Sequence, residues 1–140
     1  MSARLISGLV LAVSLGVLLP ACNSQDNSTL QPTPANIVTD PIPSTTIQPL
    51  GTAVFQFNES IPGSVTVTIT SVAPQSGYIL QIGLGSPNGN ACAVLFSQAA
   101  SVGQGVTAST ASPGTFCVTV SDIQGIVTNP ITFTGTIQHT

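Results

Sequence analysis

An antiparallel β-sandwich of seven or eight short strands, preceded by a signal helix and a disordered linker, is the fold class this sequence predicts, and three observations carry the prediction. Apolar and polar residues alternate with a period of two in one segment after another, as in strands with one face in a core. Turn residues punctuate the chain every 8 to 15 residues in its second part. After the leader, no stretch shows the 3.6-residue period of an amphipathic helix.

Residues 51–58 put Phe55 and Phe57 on one face of a strand, with Thr52, Val54 and Gln56 on the other. Residues 59–63 turn, closing on Pro62-Gly63. Over 64–72, Val65, Val67 and Ile69 alternate with Thr66, Thr68 and Thr70, apolar inward and threonine outward, the cleanest strand in the chain. Residues 73–77 turn again, and 78–84 place Leu80, Ile82 and Leu84 on the face of Tyr78. Ser86-Pro87-Asn88-Gly89-Asn90 is a strong turn whose Asn-Gly suits positive φ. Residues 91–97 are strand-like, and 102–109 form a weaker strand among glycines. Pro113-Gly114 then launches a strand over 114–122, in which Phe116, Val118 and Val120 share the core face and Cys117 points away from it. Last come 131–139, with Ile131, Phe133 and Ile137 opposite Thr132, Thr134 and Thr136.

The organisation upstream is that of an exported chain. Residues 1–21 read as a signal peptide, with Arg4 in a short n-region and an apolar run from Leu5 to Leu19 that is short for a membrane span. Leu19-Pro20-Ala21-Cys22 resembles the lipobox of bacterial lipoproteins, although Pro20 takes a position where a small residue is usual. The resemblance implies that Cys22 is lipidated and anchors the chain to a membrane. The alternative is cleavage by an ordinary signal peptidase that leaves Cys22 as an odd thiol. In a bacterium with two membranes, Asn23 in place of an inner-membrane retention aspartate favours the outer one. Residues 22–49, rich in Ser, Thr, Asn, Gln and Pro, read as a linker. At about 3 Å per residue this stretch reaches up to roughly 80 Å, and Ile37-Val38 and Ile42 could add an edge strand from it. Residues 50–140 form the sandwich domain.

Composition excludes whole classes of function. Only 4% of residues are charged, against roughly 25% in typical soluble proteins. The single basic residue is Arg4, so beyond Cys22 there is no base against four acids (Asp26, Asp40, Glu59, Asp122), a net of −4 with His139 neutral. Without a cationic side chain to neutralise phosphates, nucleic acid is not a partner. Side-chain ion pairs with Lys or Arg are impossible too, so stability must come from apolar burial, backbone ladders and a disulfide.

With Cys22 lipidated, Cys92 and Cys117 remain as an even pair in an oxidising compartment. Their bridge closes a loop of roughly 26 residues, which in the chain-entropy estimate stabilises the fold by about 3 to 4 kcal/mol. Neither a CxxC spacing nor a second histidine supports a redox or metal role. A Ser/His/Asp arrangement would have to use His139, one residue from the C-terminus, where chains usually fray. Asp122 and Glu59 read as surface-loop carboxylates, a catalytic pair only if the fold brings them into one cleft. Asp122 with loop carbonyls is a weak calcium candidate, since hard cations want several oxygen ligands carrying negative charge. No cofactor is implied. Sugar binding would call for exposed aromatic platforms, but there is no Trp, and Phe55, Phe57, Phe96, Phe116 and Phe133 sit in patterns that predict burial, leaving Tyr78 as the ring to be half-exposed.

The succession Phe55-Gln56-Phe57, Pro62-Gly63 followed by Val65, Val67 and Ile69, Leu80-Gln81-Ile82 entering Ser86-Pro87-Asn88-Gly89, and Ser112-Pro113-Gly114 opening the cysteine strand resembles the bacterial pre-peptidase C-terminal domain and its relatives. The resemblance covers about residues 50–138. It implies a jelly-roll-like sandwich that serves as an accessory module, with no catalytic residues. The expectation is a non-enzymatic, lipid-anchored envelope or surface module with a scaffolding or adhesive role. A module binding polysaccharide or calcium is the alternative. Expected partners are the membrane through Cys22, an envelope protein or polysaccharide, and further copies of the chain through strand edges, which carry no Lys to discourage pairing.

Overall fold

A computed structural model describes residues 36–140, so residues 1–21, Cys22 and the first part of the linker lie outside the described residues. Eight strands follow: β1 Val38–Ile47, β2 Thr52–Glu59, β3 Ser64–Ala73, β4 Leu80–Asn88, β5 Ala91–Ala100, β6 Gly105–Ser109, β7 Gly114–Ser121 and β8 Ile131–His139. They form two four-stranded antiparallel sheets, ordered β1-β8-β3-β6 and β2-β7-β4-β5. The pairings nest: β4 with β5, β3 with β6, β2 with β7, β1 with β8. The described chain is thus one long hairpin with the β4–β5 turn at its tip, rolled so that all the connections except that turn cross between the sheets, which is the jelly-roll arrangement.

Strand boundaries differ from the sequence expectation at several places, most of all at the start of the domain. The sandwich begins at Val38, not at residue 50, because Ile42 and Ile47 bury themselves in the core at 2% and 3% exposure. That apolar burial outweighs the linker-like composition, and Pro41 and Pro43 are tolerated because β1 is an edge strand. The β4–β5 turn also contracts. Asn88 pairs with Ala91, leaving Gly89 and Asn90 as a two-residue hairpin loop in which Gly89 takes the positive φ of 62°.

The alternation seen in the sequence lines the core. Val65, Val67 and Ile69 from β3, with Ile131, Phe133 and Ile137 from β8 beside them in the same sheet, face Leu80 and Ile82 from β4 and Val118 and Val120 from β7, all buried. Each such side chain stabilises the fold by about 1.5–3 kcal/mol on transfer from water. Phe55 meets Phe133 edge-on across the two sheets, ring centroids 6.1 Å apart.

The outward threonines pair in place of charges. Hydroxyls of Thr46 and Thr132, Thr66 and Thr107, and Thr70 and Thr134 lie 2.8–2.9 Å apart across neighbouring strands, and Ser71 joins Thr134. Among the described residues the one contact between a basic side chain and a carboxylate is that of His139 with Asp40. A surface held by neutral hydroxyl contacts is insensitive to screening. Raising NaCl from about 0.01 M to about 0.15 M, which shortens the Debye length from roughly 30 to 8 Å, is expected to leave the melting temperature of the full chain unchanged within about 2 °C in a calorimetric scan.

Candidate functional site

Cys92 and Cys117 are bonded, as their even count implied, with Cα atoms 5.8 Å apart. The bridge links β5 to β7, which are separated in the sheet by β4. Strands two places apart lie roughly 10 Å from each other in a regular sheet, so the start of β5 must leave the sheet plane to reach Cys117. It folds over the outer face. An extra residue, Leu95, breaks the register where Leu84 pairs with Phe96 and Gly85 pairs with Val94. Glycines on β4 make room beneath the fold: a Cβ on Gly85 would strike the Ala93 backbone, with Val94 Cα at 2.8 Å, and one on Gly83 would meet Val94 Cγ1 at 2.9 Å.

The expectation that Cys117 points away from the core therefore holds, and yet Cys117 is fully buried. Val118 and Val120 belong to the core, while Cys117, Thr119 and Ser121 on the opposite parity are 0%, 7% and 5% exposed. The curled start of β5 covers Cys117 through the disulfide and Thr119 beside Val94 above Gly83, whereas Ser121 lies farther along against Gln81. Sequence alternation alone could not show this, because the covering segment is itself in an outer strand and the glycines that admit it read simply as weak strand formers.

The ionisable residues sit at the two ends of the sandwich, and the structure corrects their placement. Asp122 is 1% exposed, not a surface-loop carboxylate. Its Oδ2 accepts from the amides of Leu50 (3.1 Å) and Val127 (3.2 Å) and its Oδ1 from that of Ile126 (3.0 Å), while its own amide donates to the Gly51 carbonyl at 3.0 Å. One carboxylate thus organises both the β1–β2 turn and the β7–β8 connection, and holds Leu50 at a φ of 59° that disfavours a leucine. As the weak calcium candidate, Asp122 has both oxygens engaged by the backbone, and among the described residues no group of three or more potential metal ligands forms.

At the other end lie Asp40, Glu59 and His139. Glu59 is the last residue of β2, not part of a turn, and is 3% exposed, with Oε1 accepting from the Thr140 hydroxyl at 3.1 Å. His139 does not fray. It is 3% exposed, its Nε2 3.1 Å from Asp40 Oδ2 and its ring 5.0 Å from that of Phe57. Glu59 Oε2 and His139 Nδ1 are buried without a protein partner. Glu59 and Asp122 end up at opposite ends of β2's ladder with β7, so they form no carboxylate pair.

A cleft of about 390 Å³ opens beside His139 and Thr140, lined also by Ile37, Pro62, Ser64 and Gln138. A second, apolar cleft of about 330 Å³ is one that sequence reasoning missed; it opens between β5 and the β6–β7 loop, lined by Leu84, Leu95, Phe96, Ala108, Ala111 and Phe116 among others. Phe57 and Phe133 are buried, and Phe55, Tyr78 and Phe116 partly so, but Phe96 is 39% exposed, so it replaces Tyr78 as the aromatic ring most open to solvent. The signal was present in Ala91 to Phe96, where apolar residues occupy both parities.

The geometry defines an all-β, eight-stranded jelly-roll sandwich with an internal disulfide. Among solved structures, the chain is similar to the Yersinia pseudotuberculosis-derived mitogen, with 12% identity, a TM-score of 0.50, and cover of 75% of this chain and 86% of that one. A protein from Bacillus endospore appendages, which form a novel family of disulfide-linked pili, aligns with 15% identity, a TM-score of 0.38, and cover of 75% and 88%. At such identities the mitogen shows the fold alone, and the appendage protein carries no argument. No protein-family model and no curated protein matches the chain, so the likeness to the pre-peptidase C-terminal domain stays with the turn and core residues that suggested it.

Two substitutions test the roles assigned to these residues. Asp122→Ala strands three backbone amides, one of them buried, and is expected to lower the unfolding free energy by about 3 kcal/mol or more, read as a shift in urea midpoint. Gly85→Ala sets a methyl against the Ala93 backbone and should cost about 1–3 kcal/mol by overpacking; an unchanged midpoint would mean that β5 does not lie over β4.

Proposed function

We propose that the chain is a non-catalytic module, anchored to the bacterial cell envelope through a lipid on Cys22, with a scaffolding or adhesive role. The observation that supports the non-catalytic part is that the acids and the histidine among the described residues each make a contact within the fold, although Glu59 Oε2 and His139 Nδ1 have no protein partner. Asp122 binds backbone amides, Glu59 binds Thr140, and His139 pairs with Asp40, so each holds together parts of the fold. The two apolar sheet faces, the threonine pairs and the disulfide suit a durable exported domain whose stability owes nothing to Lys or Arg. The likeness of residues 50–138 to accessory modules supports the same reading.

Anchoring is supported by Leu19-Pro20-Ala21-Cys22 and by the uneven cysteine count, one cysteine remaining once Cys92 and Cys117 are bonded. Since β1 starts at Val38, the segment joining it to Cys22 would reach no more than roughly 50 Å in a polyproline-like conformation. Metabolic labelling with a radioactive fatty acid, followed by envelope fractionation, tests the anchor. The expected result is label on the chain and its recovery with membranes, both lost in Cys22→Ser. Membrane recovery without label, unchanged by that substitution, would overturn it.

A further inference from the structure

We propose that the end of the sandwich remote from the entering chain is a lipid-docking tip, where Leu50, Ile79, Ile123 and Ile126 insert into the surface of a bilayer whose headgroups carry no net charge. This goes beyond the anchored-module reading and does not depend on Cys22.

Four aliphatic side chains are open to solvent at this end, Leu50 at 69% and Ile123 at 60%, with Ile79 and Ile126 beside them. They come from three separate connections: the β1–β2 turn, the segment before β4, and the residues between β7 and β8. The fold joins them into one patch. Leu50 lies over Gly125, where a Cβ would meet Leu50 Cδ2 at 3.3 Å, and Ile79 and Ile123 border one shallow depression with Gln124. The buried Asp122 carboxylate holds two parts of the patch at once, accepting from the amides of Leu50 and Ile126. It also keeps Leu50 at a φ of 59°, a conformation that suits glycine or asparagine and strains a leucine. A turn that only reversed the chain would gain nothing from a leucine there. Local strain over-determined by its surroundings marks a side chain held in place for what it contacts.

Charge and composition select the occupant. Among the described residues no charged side chain is exposed at this end, since Asp122 is buried and Asp40 and Glu59 lie at the other. Insertion therefore strips water from no charge. An anionic headgroup would find no Lys or Arg here, and the acids of the chain would repel it, so a bilayer without net charge is the matching surface. Protein interfaces are anchored by Trp, Tyr and Arg. The exposed part of this patch has none of them, because Tyr78 packs against the core. Another exposed aliphatic set, Ile37, Val38 and Ile61, lies where the chain enters and beside the half-exposed Asp40. Val38 pairs with His139 at one end of β1 and Ile47 with Ile131 at the other, so the tip faces away from the point of entry. Aliphatic side chains on a charge-free surface enter the boundary between headgroups and acyl chains through their buried apolar area alone.

The chain has no tryptophan, so Ile123→Trp places a single fluorescent reporter at the tip and Leu95→Trp a reference on β5. Both positions are exposed, and both variants are expected to keep the parent melting temperature. The full chain is mixed with phosphatidylcholine vesicles whose acyl chains carry bromine, which quenches an indole on contact. The expected result is a blue shift and quenching for Ile123→Trp, unchanged between about 0.01 M and about 0.15 M NaCl, and neither for Leu95→Trp. The indole reads the tip itself, however the rest of the chain is attached. Adding Leu50→Asn, which suits the positive φ, should weaken the partition read by Ile123→Trp at least about tenfold while the melting temperature stays level or rises. Absence of quenching for Ile123→Trp would overturn the proposal. So would equal quenching of both reporters, quenching that needs anionic phosphatidylglycerol, or partition that Leu50→Asn leaves unchanged. A blue shift without vesicles that grows with chain concentration would assign the tip to a second copy, and photo-cross-linking from residue 123 to an envelope protein in place of lipid would assign it to a protein; either result overturns it.

Discussion

The burial of β7 on both faces is the constraint from which the rest of the architecture follows. One parity of this strand sits in the sandwich core through Val118 and Val120; the other, Cys117, Thr119 and Ser121, is covered from outside. A strand in an antiparallel sandwich usually leaves its second face to water. Here the outer face at Cys117 and Thr119 is shut by the start of β5, which requires a bulge at Leu95, side-chain-free floor positions at Gly83 and Gly85, and a covalent tie to keep the curl in place. The disulfide therefore does more than shorten the unfolded chain. It fixes a tertiary contact between the tip of the long hairpin and its middle.

Much of this fold could be read from the residues, and the parts that could not have a common cause. Strands with one buried face announce themselves, as Val65 to Ile69 and Ile131 to Ile137 do, because their alternation survives any arrangement of neighbours. The bridge was legible from cysteine parity, and its orientation from the parity of Phe116, Val118 and Val120. What stayed hidden depends on which strands end up adjacent. The core role of Ile42 and Ile47 needs β8 beside them. Asp122 became an internal acceptor because two connections distant in sequence converge on it, and Glu59, two residues after Phe57 on β2, and His139, whose ring meets Phe57, were drawn inside at one end. A single carboxylate in a loop looks the same in sequence whether it faces water or three amides.

The lack of cations shapes the molecule as firmly as the apolar pattern does. Elsewhere lysines would keep sheet edges apart and carboxylates would find basic partners. Among the described residues Glu59 and Asp122 turn inward to a hydroxyl and to amides and the half-exposed Asp40 meets one histidine, while the outer faces rely on threonine pairs. Three edges are guarded by proline, shortness or an inward acid. The fourth, β5, is shaped by its bulge and its bridge alone.

The nesting of strands also decides how the domain meets mechanical force. Val38 and His139 are direct partners, so the chain enters and leaves the roll side by side at one end. A load arriving through the residues before Val38 falls on β1, an edge strand whose only sheet neighbour among the described residues is β8. It reaches the Val38–His139 pairing and the Asp40–His139 contact before anything else, and peels hydrogen bonds one after another instead of shearing a row of them at once. Release of β1 would uncover Ile42 and Ile47 at the rim, while the stapled sheet of β7, β4 and β5 stays closed by its covalent cross-strand tie. The roll thus has a weak outer turn and a locked inner one.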